Sequence, residues 1–230
     1  MLKAENLTKK YFNKTVLDGI NLNLDQGKIY GLLGPNASGK TTFMKIAAGL
    51  VQPTAGSLAI LGNEVGVRTK EVVSFMPTLN HLPLWMKVNQ CINWFHGAFP
   101  DFQLEKAQAM TNEMGIKEND KIGSLSTGML GRFKLVLTIC RDAKLYILDE
   151  PLNGLDPVSR EKVVQAILST GREDNTFLIS SHMINELENV LDEIIFVDKG
   201  KVLLSGNAED FRVNKGMSID ELYREVYRNA

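Results

Sequence analysis

The residues Gly34, Pro35, Asn36, Ala37, Ser38, Gly39, Lys40 and Thr41 set two glycines, a lysine and a hydroxyl in the pattern G-x-x-x-x-G-K-[ST]. Glycines let a backbone curl until successive N–H groups point inward at phosphate oxygens, and a helix that follows adds its positive N-terminal end. Lys40 brings a point charge to the β- and γ-phosphates, and Thr41 a hydroxyl where a magnesium ion has to sit. The chemistry implied is the holding of a nucleoside triphosphate. The spacing names neither the base nor the reaction.

A second pair can act on that triphosphate. Leu145, Tyr146, Ile147 and Leu148 run apolar into Asp149 and Glu150, so two carboxylates stand at the end of a predicted parallel strand, where ligands of open α/β sheets bind. Asp149 is placed to hold magnesium, and Glu150 to polarise an attacking water as general base. Pro151 then turns the chain out of the strand and aims Glu150 away from the sheet. His182 ends a comparable apolar run, Ile179, Ser180, Ser181, and is within reach of a γ-phosphate or the attacking water. On position alone a lone histidine at a strand end is more often structural, and His81 and His96, without comparable context, read as structural.

Elements that could position these groups follow from the apolar pattern. Ile20, Leu22 and Leu24 share one face of a strand, and Leu58 with Ile60 repeats the alternation. Ile29 to Leu33 is an unbroken apolar run feeding the glycine loop, as expected of a buried parallel strand. From about Lys87 to Met114 the period turns helical, with Leu104, Ala107, Met110 or Thr111, and Met114 on one face. Helix is expected again over Met129 to Arg141 and Val158 to Ser169, the latter capped by Asp156 with Pro157 in its first turn, with strands at Leu145 to Leu148 and Thr176 to Ser180. Strand and helix in alternation imply parallel pairing. Ser218 and Glu221 form a capping box ahead of a short C-terminal helix.

Composition bounds the setting. With 230 residues, 44% hydrophobic and 23% charged, the chain has the balance of a folded globular protein, and we read it as one domain over 1–230 without an internal linker. Its formal net charge of -1 gives no electrostatic signature of general nucleic-acid binding. The start Met1 to Asn6 lacks the basic and apolar stretches of a signal peptide, so the chain is expected in the cytoplasm. No run of about 18 apolar residues occurs, so a role at the membrane would need a partner. Cys91 and Cys140 have no CxxC spacing and read as small core residues.

Leu125, Ser126, Thr127, Gly128 and Met129, between the glycine loop and the acid pair, resemble the LSGGQ signature of ABC ATPases. The resemblance extends to an aromatic residue near the N-terminus, Tyr11, to a D-loop at Asn153, Gly154, Leu155 and Asp156, and to a switch histidine, His182; order and spacing agree from Leu2 to about Gly206. Among ABC ATPases the chain is most similar to those of bacterial ABC-2-type exporters, through Leu84 to Val88 and Phe99 to Phe102.

The resemblance implies a P-loop NTPase fold with a RecA-like parallel-sheet core, an N-terminal antiparallel β subdomain, an inserted α-helical subdomain over about 80–135 and a tail over about 207–230. It implies ATP and Mg2+ as ligands. ATP would be bound by Gly34, Asn36, Ala37, Ser38, Gly39, Lys40, Thr41 and Thr42, with Tyr11 stacked on adenine. The reading of Tyr11 as an edge residue, with Phe12 stacking instead, stays open. Magnesium would rest on Thr41 and Asp149, and catalysis on Glu150 and His182. Two such subunits, alike or different, would pair head to tail, so that Ser126, Thr127 and Gly128 complete the partner's site. A transmembrane permease would be the other partner, keeping the subunit peripheral to the inner face of the cell membrane.

Three departures from the family pattern stand out. Thr78 stands where a magnesium-ligating glutamine is usual, Thr127 and Met129 alter the signature, and Ala37 replaces a common glycine, a small change where its backbone angle is ordinary. A soluble ABC ATPase outside transport would usually carry tandem nucleotide domains or a coiled coil, which this sequence lacks. A regulator without turnover is disfavoured by Glu150 and His182.

Overall fold

The computed structural model describes residues 1–170 and 174–228. In chain order the strands are β1 (Leu2–Tyr11), β2 (Lys14–Leu24), β3 (Ile29–Leu33), β4 (Ala55–Ile60), β5 (Asn63–Glu64), β6 (Val73–Met76), β7 (Leu145–Asp149), β8 (Thr176–Ser181), β9 (Glu193–Asp198) and β10 (Lys201–Asn207). The helices are α1 (Lys40–Ala47), α2 (Val67–Val72), α3 (Val88–Ala98), α4 (Leu104–Glu113), α5 (Thr127–Ile139), α6 (Pro157–Ser169), α7 (Ile184–Leu187), α8 (Ala208–Lys215) and α9 (Ile219–Arg228).

One sheet has the order β2-β1-β4-β5 and is antiparallel, with Leu2 opposite both Leu24 and Ile60. The other has the order β10-β9-β3-β8-β7-β6 and is parallel except for the β9–β10 hairpin. Every residue of β3, β7 and β8 is buried, as strands covered on both faces must be. Their register sets Leu33 beside Ser181 and Asp149 beside Ser180, so the three strands end on one edge.

The helical stretch expected from Lys87 to Met114 is two helices. Pro100 disfavours helical angles at Phe99, and α3 ends at Ala98 with Phe99 extended (φ -123°). The break turns Phe102 inward, buried against Phe95, with its backbone bridged to Arg141. Just past its far end α5 is anchored by Arg141, which is buried, pairs with Asp101 at 3.0 Å and donates to the Val73 carbonyl at 3.1 Å. Helix α5 begins at Thr127, two residues before the periodicity suggests, because Ser126 caps it by accepting the Met129 N–H at 3.2 Å. The short α2, with little apolar period of its own, was not predicted. At the C-terminus Ser218 and Glu221 make the expected reciprocal bonds, at 2.8 and 3.2 Å. Helix α9 then buries Ile219 and Leu222 and packs Tyr223 and Tyr227 around Phe196.

Candidate functional site

The loop between β3 and α1 wraps the floor of a cavity of about 650 Å3. Gly34 leaves no room for a side chain: a Cβ there would lie 2.2 Å from the Val197 carbonyl and 2.9 Å from Ser38 Oγ. Ser38 Oγ is buried with no hydrogen-bond partner among the described residues, a polar atom waiting for one. Lys40 Nζ folds back on the carbonyls of Gly34 at 2.7 Å and Pro35 at 3.0 Å. Burial pulls its pKa below the ordinary lysine value, while the carboxylates of Glu150 and Asp149 oppose that shift. A lysine so placed, desolvated and held in the loop between β3 and α1, suits a polyphosphate.

Asp149 is 1% exposed, and three hydroxyl bonds hold it: Thr41 Oγ1 lies 3.0 and 3.2 Å from its two oxygens and Ser180 Oγ donates at 2.7 Å. This oxygen-only set fits magnesium, which takes one or two protein oxygens and completes its shell with phosphate and water. Glu150 follows with a left-handed φ of 54°, uncommon for a residue with a side chain. Its N–H reaches Ser180 Oγ at 3.0 Å and the Ser180 carbonyl at 3.2 Å. The turn frees its carboxylate for His182, whose Nδ1 lies 2.7 Å from Glu150 Oε2. A base fixed by an orienting imidazole, beside a carboxylate for a metal, is an arrangement that can hydrolyse a phosphoanhydride.

The structure brings Gly34, Asn36, Ala37, Ser38, Gly39, Lys40, Thr41, Thr42, Glu150 and His182 to the one cavity. Asp149 adjoins it through Thr41. Tyr11 lies outside the cavity lining, at the end of β1 with its ring under the Lys9 ammonium; Lys14 and Val16 line the cavity on that side. Phe12 is fully exposed. Ser126, Thr127 and Gly128 also lie away from the cradle of their own chain, with Ser126 and Thr127 exposed. Ala37 has φ 64°, so its angle is not the ordinary one the substitution for glycine invited. Thr78 lines the cavity, and its hydroxyl donates to the Asp149 carbonyl at 3.2 Å.

Sequence reasoning missed Ser180, which joins the acid pair, and the part α9 plays at the site: its Tyr223 lines the cavity and its Tyr227 hydroxyl lies 2.9 Å from the Val197 carbonyl and 3.2 Å from that of Leu33. The capping box announced the helix but not where it docks.

A family model described as ABC transporter matches residues 17–153. The chain belongs to the ABC transporter family. It is 35% identical over 211 residues to the lantibiotic transport ATP-binding protein SrtF of Streptococcus pyogenes, covering 89% of this chain and 90% of that one. To the bacitracin transport ATP-binding protein BcrA of Bacillus licheniformis it is 32% identical over 214 residues, 88% of this chain and 68% of that one. A solved ATP-binding subunit of an ABC transporter superposes with a TM-score of 0.87 at 23% identity, over 99% of both chains. A dimeric ATP-binding cassette bound to ADP and Pi does so with 0.82 at 20% identity, over 90% of this chain and 99% of that one. These two show the P-loop ATPase fold expected above. The protein is an ATP-binding ABC ATPase subunit, the part of a transporter that binds and hydrolyses ATP.

Proposed function

We propose that this subunit is the motor of an exporter, working peripherally on the inner face of the cell membrane through a separate transmembrane permease. In this reading Gly34 to Thr42 cradle the triphosphate of ATP, Thr41 and Asp149 hold magnesium, Glu150 takes a proton from the attacking water and His182 orients it. Magnesium supplies charge for the phosphate oxygens. Tyr11 stacks on adenine beyond Lys14 and Val16. Ser126, Thr127 and Gly128 act on ATP held by a second subunit, the same chain or another, placed head to tail.

The observation that carries this reading is the Asp149, Ser180, Glu150 and His182 constellation at the mouth of the cradle, since a protein that only binds nucleotide has no use for an oriented base. The likeness to subunits named for lantibiotic and bacitracin transport supports export. Two measurements test it. Purified protein is expected to hydrolyse ATP only with magnesium, and affinity capture of the subunit co-expressed with the membrane proteins of its source is expected to retain an integral membrane protein. Absence of magnesium-dependent turnover sinks the motor; capture of soluble partners alone sinks the permease.

A further inference from the structure

Helix α5 is buried over Phe133 to Ile139, and one residue in that stretch is a lysine. Lys134 is 6% exposed, and its Nζ donates to the Pro77 and Thr78 carbonyls, each at 2.7 Å. These carbonyls lie just past the last residue of β6, Met76, which pairs with Leu148, so they have left the sheet ladder and need donors. Thr78 in turn donates to the Asp149 carbonyl. A continuous line therefore runs from the helix capped by Ser126, through Lys134 and Thr78, to the strand end that carries Asp149 and Glu150. Lys134 and Glu150 also share the lining of a cavity of about 270 Å3 between α5, the loop after β6 and the turn at Asn153 and Gly154.

A neutral donor or a water could satisfy two carbonyls. An ammonium there is costly to bury. Burial lowers its pKa, and the carboxylate of Asp149 opposes that shift; Thr78, whose carbonyl takes one of its bonds, is itself bonded to the Asp149 backbone. We infer that Lys134 is a positioning residue: it ties the signature helix to the loop after β6, and its positive charge beside Asp149 weakens the site's hold on magnesium. The inference rests on the proposed role of Asp149. It gives Thr78 a place in the site other than that of the usual glutamine, as a link in the tie.

The test uses a non-hydrolysable ATP analogue and calorimetry, with and without magnesium; the ratio of the two affinities is the magnesium-linked gain. Removing a like charge near the metal in Lys134→Met is expected to raise that gain by at least about threefold. Lys134→Arg, which keeps the charge, is expected to match the parent. Loss of the tie is expected to lower kcat of Lys134→Met by about tenfold with KM within about twofold, the mark of a contribution to the chemical step and not to ATP binding. Should Lys134→Met not fold, Lys134→Gln removes the charge but keeps a donor, and the same rise is expected.

A gain in Lys134→Met, or in its Gln substitute, within about twofold of the parent overturns the inference. Asp149→Asn separates the two claims: it is expected to abolish the gain. If it does not, Asp149 is not the magnesium ligand and the site reading falls, taking the inference with it. If it does while Lys134→Met leaves the gain unmoved, only the inference falls.

Discussion

The two halves of chemistry in this chain are built in opposite ways. Around the cradle, Ser38, Lys40, Asp149 and Ser180 are all buried, and each acidic or basic group is held by hydroxyls or carbonyls of its own chain. At the signature, Ser126 and Thr127 are exposed, and the contact recorded for the Ser126 hydroxyl is the cap of its own helix. Groups fixed in a dry, shaped site are ready to stabilise a transition state without rearranging. A hydroxyl and free helix-terminal N–H groups facing outward can act only on something brought to them. On the proposed head-to-tail reading, the contrast is that of a half-site: one phosphate cradle built within the chain, and one exposed contribution for another molecule.

The largest expected effect lies on the prebuilt side. Glu150→Gln keeps the shape of the side chain and removes its basic oxygen, so turnover is expected to fall on the order of 100-fold or more with ATP binding retained. Stopped-flow phosphate release and calorimetry measure the two quantities, and near-normal turnover removes Glu150 as the base. Lys40→Ala, by contrast, is expected to lose ATP affinity itself, because the buried charge opposite the phosphates goes.

Next in size is the exposed side. A Cβ at Gly128 would meet only the Gly154 carbonyl at 3.5 Å and Leu155 Cδ2 at 3.6 Å, ordinary contacts, so Gly128→Asp is expected to fold. Its new carboxylate would face the partner's γ-phosphate, where like charges repel. Alone it is expected to be inactive, as is Lys40→Ala. Mixed, the two form some dimers in which one site pairs an intact cradle with an intact signature. Partial recovery of ATPase activity, or of ATP-driven dimerisation by light scattering, is expected. A mixture of folded, associating mutants that shows neither would mean that the signature does not act in trans.

What could be read ahead of the structure divides along the same line of locality. The cradle, the acid pair and the capping boxes are each contiguous in sequence, and their side chains do their work within a few residues of where they are written. Ser180 and Lys134 are not of that kind. Ser180 reads as one more strand residue until the β7–β8 register sets it beside Asp149. Lys134 is 57 residues from Pro77, and only the packing of α5 on β6 joins them. A signal was available, since a lone lysine amid Phe133, Leu135, Val136 and Leu137 interrupts an apolar stretch, and a buried charge needs a partner. Pro100 likewise marked the end of α3, where apolar period alone ran through it. The docking of Tyr227 under the cradle has no local signal, because nothing near it in sequence names Val197 or Leu33.

The smallest effect sharpens the comparison from inside the cradle, where preorganisation carries strain. Ala37 holds a left-handed φ of 64°, a region that costs a residue with a Cβ roughly 1–2 kcal/mol. Glycine adopts it freely but loses more backbone entropy on folding, roughly 0.5–1 kcal/mol, so the two terms partly cancel. Strain is the larger, and Ala37→Gly is expected to stabilise the nucleotide-free protein by up to about 1 kcal/mol, a rise of roughly 2–4 °C in Tm for a chain of this size. Scanning calorimetry without nucleotide measures it. If Ala37→Gly lowers Tm instead, the Ala37 side chain is held by packing strong enough to outweigh its strain, and the cradle's rigidity comes from contacts and not from a constrained backbone.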